Sequence, residues 1–198
     1  GVTTTWHANG QVKSKVNYKA AKQDGKTTTW YANGQKNEEQ DYKDGDLVYV
    51  TYYDSDTGQI KSKVNYKANL FDGVTTTWHA NGQVKSKVNY KDGNLVGKTL
   101  FYYYKNNQIE SERNFKYEQL TGKSTFWHKN GQKSIEGIYK DGKVDDKWTF
   151  WNKNGQKNEE LNYKDGDLVD RTIFKYSFFT NNLKSKKNYK DGNCTSGC

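Results

Sequence analysis

The chain has 198 residues, of which 32% are hydrophobic and 28% charged, with a formal net charge of +9 at neutral pH. Its mean hydropathy of -1.20 would suit a disordered polymer, but six Trp, sixteen Tyr and eight Phe supply large flat surfaces that offset the entropy of ordering. Scarce Leu and Ala disfavour helices, the lack of Pro permits unbroken strand ladders, and no run approaches the roughly 20 apolar residues of a membrane-spanning helix.

Gly1 already lies inside a repeat, with no initiator Met before it, so the chain is expected to be a processed or excised piece. In the first unit Val2, Thr4 and Trp6 alternate toward Asn9-Gly10, and Val12, Ser14, Val16 and Tyr18 alternate away from it. Period two around an Asn-Gly dipeptide predicts a β-hairpin with a two-residue type I′ turn. Gln11, Lys13, Lys15, Asn17 and Lys19 take the other side, which predicts one aromatic face and one charged face.

The second unit repeats the pattern with Trp30, Asn33-Gly34 and Tyr42, then closes at Asp44-Gly45, a second turn signal. The third replaces Trp by Tyr53 and lengthens its loop to Asp54–Gly58 before Tyr66. The fourth, with Trp78, Asn81-Gly82 and Tyr90, reproduces Gly1–Lys19 residue for residue as Gly73–Lys91, a sign of block duplication. In the fifth, Asn107 stands for the turn Gly and Phe115 for the closing Tyr. The sixth and seventh return to pattern with Trp127 and Tyr139, then Trp151 and Tyr163, and the eighth uses Asn181 and Tyr189.

From Tyr18 to Tyr189 the closing aromatics step by 24, 24, 24, 25, 24, 24 and 26 residues, and a fixed period of this size marks a repeat architecture. The expected fold is all-β: an elongated single-layer antiparallel meander of about eight stacked β-hairpin repeats, a solenoid roughly 75 Å long at the usual strand spacing. Repeats would occupy residues 1–193 and a short Cys-containing tail residues 194–198. Local bulges are expected in repeats three, five and eight, where the pattern departs.

Few residues invite chemistry. His7, His79 and His128 each follow a repeat Trp and lie two or three repeats apart, too far to share a metal, and read as ordinary strand residues. Asp54-Ser55-Asp56-Thr57-Gly58 is followed by Ile60–Lys67 without an acid, which suits a polar turn better than a calcium loop. Glu38-Glu39, Glu110 with Glu112, and Glu159-Glu160 read as strand charges, since a flat face offers no cleft for acid-base work. Neither catalytic residues nor a metal or cofactor are expected. Three residues before each closing aromatic the chain reads Lys15, Glu39, Lys63, Lys87, Glu112, Glu136, Glu160 and Lys186, a mosaic that disfavours nucleic acid. Cys194 and Cys198 flank Thr-Ser-Gly; a small disulfide ring, a link to another chain and an incidental tail remain open. The candidate binding face is the aromatic one: Trp6, Trp30, Trp78, Trp127 and Trp151 with Tyr18, Tyr42, Tyr66, Tyr90, Tyr139 and Tyr163.

From Trp78 to Gly93 and from Trp151 to Gly166 the string Trp-x-x-Asn-Gly-Gln, followed by Tyr-Lys-Asp-Gly, resembles bacterial MORN variant repeats. The resemblance implies a curved run of hairpins used for interaction, without catalytic residues, as in surface or secreted proteins and antitoxins of the YwqK type. The expected function is a non-enzymatic repeat scaffold that binds a protein or glycan outside the cell or at its surface. An intracellular antitoxin and a subunit of an end-to-end fibre are the alternatives.

Overall fold

The structure, a computed structural model, describes residues 1–103, 106–177 and 180–198. Among them there is no helix, and every strand pairing is antiparallel between near neighbours in sequence, which is the expected meander. The chain divides into two compact units, Gly1–Val96 and Gly97–Cys198.

The first unit contains β1 (Val2–Trp6), β2 (Val12–Lys19), β3 (Lys22–Gln23), β4 (Gly25–Trp30), β5 (Lys36–Lys43), β6 (Asp46–Tyr53), β7 (Ile60–Lys67), β8 (Leu70–Phe71), β9 (Gly73–Trp78), β10 (Val84–Lys91) and β11 (Asn94–Leu95). The second contains β12 (Gly97–Tyr102), β13 (Ile109–Lys116), β14 (Gln119–Leu120), β15 (Gly122–Trp127), β16 (Lys133–Lys140), β17 (Lys143–Trp151), β18 (Lys157–Lys164), β19 (Asp167–Tyr176), β20 (Leu183–Lys190) and β21 (Asn193–Ser196). β21 lays Cys194 opposite Tyr189, and Cys194 forms a disulfide with Cys198.

The Asn-Gly turns differ from the sequence expectation. At Asn9-Gly10 only Gly10 has positive φ; His7 N donates to Gln11 O at 2.8 Å and Gly10 N to His7 O at 2.9 Å. This is a three-residue loop ending in a glycine bulge, not the expected two-residue type I′ turn. Asn9 Oδ1 stabilises it by accepting from Gln11 N at 3.2 Å. The type I′ geometry sits instead at the second turn, where Asp44 and Gly45 have φ of 52° and 95° between the paired Lys43 and Asp46. Ala20-Ala21 and Tyr117-Glu118 adopt the same left-handed pair without a glycine.

A register shift accompanies the Trp position or its substitute in all eight hairpins, so bulges are not confined to repeats three, five and eight. The same registers fix which side chains share a face. Thr27 stands opposite Gln40 and Gly25 opposite Tyr42, whereas Thr28 stands opposite Glu39. Because partners share a face and neighbours alternate, Trp30 lies with Thr28 and Glu39, on the side away from Tyr42. The expected single aromatic face is therefore two rows on opposite faces, with the tryptophans on the charged side.

Little is deeply buried. Among the described residues the buried hydrophobics are Val50, Val64 and Trp148, and the other buried side chains are Thr, Ser and Glu160. Small hydroxyl residues fill the space that large aliphatics occupy in a two-layer core, as befits a thin sheet.

Candidate functional site

The Trp face is organised by acid-lysine ladders. In the first unit Glu39 is bound by Lys26 at 2.9 Å and Lys36 at 3.0 Å. In the second, Glu136 is bound by Lys123 and Lys133, and Glu160 by Lys147 and Lys157, all within 3.0 Å. Burial pushes these three carboxyls up, but the lysine hydrogen bonds overcome it and hold each below the usual glutamate range. The acids that break the basic row are thus matched to lysines of their own hairpins. Lys133 also stands over the Trp151 ring at 5.8 Å, and Lys36 over Tyr53 at 5.4 Å, so the lysines tie the ion ladder to the aromatic row.

The residue after the Trp, or after Tyr102 in its place, links neighbouring repeats at three positions. His7 Nε2 donates to Trp30 O at 2.8 Å, Tyr103 Oη to Trp127 O at 2.6 Å and His128 Nε2 to Trp151 O at 2.9 Å. These histidines are more than the ordinary strand residues their spacing suggests. The signal was present: His, Tyr and His recur at one place in the period, and each can donate from a ring edge. One step further along, Asn9 donates to Ala32 O, Asn33 to Ser55 O and Asn130 to Lys153 O, at 2.7, 3.1 and 2.6 Å. The loop at Asp54 is held by its own residues, since Asp54 Oδ1 accepts from Thr57 N, Thr57 Oγ1 and Asp56 N. The Thr57 backbone bond holds that carboxyl low.

All five predicted tryptophans remain partly accessible, from Trp6, 60% exposed, to the half-buried Trp30, Trp78, Trp127 and Trp151. Beside Trp30 an open groove of about 460 Å³ is lined by Gly10, Gln11, Val12, Lys15 and Gly34. The first repeat has Lys15 where the second has Glu39, and Lys15 has no ion-pair partner among the described residues. A flat indole, a free ammonium and an amide around a shallow groove can bind a planar or hydroxyl-rich group that carries an anion.

The Tyr face differs. Tyr18, Tyr42, Tyr66, Tyr90, Tyr139 and Tyr163 occupy it with the Ser and Thr rows, and Phe71 bridges Tyr66 and Tyr90 edge-on at 5.2 and 5.3 Å. Burial raises the Tyr66 phenol to about 12, helped by Tyr52 and by the charge of Glu38. In the second unit the Arg113 guanidinium lies between the Phe101 and Phe126 rings at 5.0 and 5.1 Å. Between Trp6 and Tyr18 in the first unit, or Trp151 and Tyr163 in the second, the sheet itself intervenes, so within each unit the predicted site residues form two surfaces and not one track.

A family model agrees with this architecture. The family described as MORN repeat variant matches residues 1–20, 23–44, 71–92, 94–117, 120–141 and 147–165. No curated protein sequence matches the chain. Among solved structures, TcdB2-TccC3 aligns over 98% of this chain and 14% of its own length, at 11% identity and a TM-score of 0.26. The chain thus spans about 14% of that protein. A protein of unknown function from Bacteroides fragilis aligns over 97% of this chain and 94% of its own, at 12% identity and a TM-score of 0.14.

Proposed function

The chain belongs to the MORN repeat variant family, a repeat-based binding scaffold, and we propose that it acts without catalysis, using its Trp face to hold a protein or glycan partner. The observation that carries this reading is the groove beside Trp30, where an accessible indole and the unpaired Lys15 stand together on a hairpin frame locked by neighbouring repeats. Rigid aromatic side chains bind at low entropic cost, and the frame holds their spacing before a partner arrives. The Cys194–Cys198 disulfide supports a place outside the reducing cytoplasm, at a cell surface or beyond it.

The test is selection of binding peptides and glycans on the intact chain, followed by titration of the winners against Trp30→Ala and Lys15→Ala. Affinity should fall by about tenfold or more in each variant, with the unfolding midpoint of Lys15→Ala unchanged. Winners indifferent to both substitutions would remove the Trp face from the reading. Turnover of any selected compound would remove the scaffold reading itself.

A further inference from the structure

Repeats two and seven share Lys-Asn-Glu-Glu and, after two further residues, Tyr-Lys-Asp-Gly-Asp-Leu-Val, which makes Glu38 and Glu159 the same position met twice. Both lie on the Tyr face: Glu38 stands opposite Thr29 and Tyr52, Glu159 opposite Phe150 and Ile173. In repeat seven the carboxylate is neutralised by Arg171 from the next strand. The residue that corresponds to Arg171 beside Glu38 is Val50, opposite Gln40 as Arg171 is opposite Leu161. Val50 is 2% exposed and brings no charge.

Among the described residues Glu38 is left with one neutral donor. Gln40 Nε2 donates to it at 2.7 Å, and Tyr42 Oη donates in turn to Gln40 Oε1 at 2.9 Å. Its neighbour Glu39 takes both nearby lysines on the other side of the sheet. Among the described residues no cation reaches Glu38, and burial raises its carboxyl. A half-buried carboxylate without a counter-ion is costly to a fold, and here three tyrosines stand near it: Tyr52 directly opposite, Tyr66 beside Tyr52, and Tyr42 four residues on.

We propose that Glu38 is the receptor for a guanidinium supplied by a protein partner, an arginine side chain that takes the place Arg171 fills within the chain at Glu159 and lies against the rings of Tyr42, Tyr52 and Tyr66. The chain is its own precedent for the ligand, because the same carboxylate position already holds a guanidinium. A planar fork matches a carboxylate and stacks on tyrosine, which a compact ammonium does less well. The inference rests on the reading of the chain as a binding module but uses the opposite face from Trp30.

The experiment follows the Tyr42, Tyr52 and Tyr66 ring resonances of the full chain during titration with three short peptides that differ only in a central arginine, citrulline or lysine. The arginine peptide should give a saturable shift, weakened by about tenfold or more in Glu38→Gln, while citrulline gives none and lysine a weaker one. Glu159→Gln, distant in sequence and already internally paired, should leave that titration as it is. An equal response in Glu38→Gln, or from citrulline, would overturn the proposal, and a stronger response to lysine would overturn the guanidinium assignment. Indole resonances report the Trp face separately, so failure there is visible apart from failure here.

Discussion

The indole of Trp148 lies across the backbone of Gly137, so close that a methyl group on Gly137 would stand 2.1 Å from Trp148 Cδ2. The same indole donates to Ile138 O at 3.1 Å and meets Tyr139 edge-on at 4.9 Å. Among the described residues it is the one aromatic side chain of the buried hydrophobics, and it is seated where the row of Val16, Gln40, Val64 and Leu161 has its glycine.

Gly137→Ala should therefore destabilise the second unit by about 1–3 kcal/mol, since the new methyl group has to displace the indole. Urea unfolding followed by Trp fluorescence measures it. The double variant with Trp148→Leu should cost less than the two changes added together, because the clash and the lost packing share one site. Strict additivity would mean that the indole does not depend on the missing side chain.

Ala21 and Glu118 hold φ of 62° and 67° at the second position of their turns, where other repeats have glycine. Ala21→Gly and Glu118→Gly should each stabilise the chain by up to about 1 kcal/mol, by relieving a left-handed L-residue. The gain is read as a higher urea midpoint at unchanged slope. A lower midpoint would show that the turn's neighbours, and not its backbone, set its cost.

Neighbouring glutamates should respond to pH with opposite sign. Glu39, Glu136 and Glu160 titrate below their ordinary range in the fold. Their contribution is complete above the unfolded value and is lost as pH falls through the depressed folded values. Glu160→Gln should cost about 1 kcal/mol at neutral pH, a modest figure because its lysines are about half exposed, and the difference should vanish in acid. Glu38 titrates above its range, so its effect is most favourable below the unfolded value and is lost as pH rises through the folded one. Glu38→Gln should therefore raise neutral-pH stability. Denaturant titrations of both variants across the acid range decide between the two signs.

Tyr103→Phe removes the hydroxyl that reaches Trp127 O at 2.6 Å and leaves a carbonyl without its donor. A loss of about 1 kcal/mol is expected, with faster amide exchange concentrated at β12 and β15. Exchange that rises evenly over the second unit would point to global loosening instead.

The period, the hairpins and the antiparallel order were legible because Tyr18, Tyr42 and Tyr66 keep one interval and their flanks alternate. The opposition of the two aromatic rows was also countable. Val2 pairs with Asn17 and Thr3 with Val16, so partners before the bulge have opposite parity; Trp6 alternates with Val2 and Thr4, and Tyr18 with Val16, which puts the two on opposite faces. The turn types were not legible, because Asn-Gly and Asp-Gly send the same signal and Ala20-Ala21 sends none. Nor was Glu38: nothing within repeat two marks its carboxylate as unmatched until the strand pairing puts Val50 in the place that Arg171 holds beside Glu159.

The asparagine hooks of Asn9, Asn33 and Asn130 point the same way, from an earlier loop to the carbonyl of a later one. Each of these junctions therefore has a sender and a receiver. At a seam of this kind a whole repeat can be copied in or cut out with its chemistry kept, whereas a splice of half a repeat would leave a sender facing nothing. The identity of Gly1–Lys19 with Gly73–Lys91 is what such a one-way coupling tolerates: growth by complete blocks, with no repair needed at the joins.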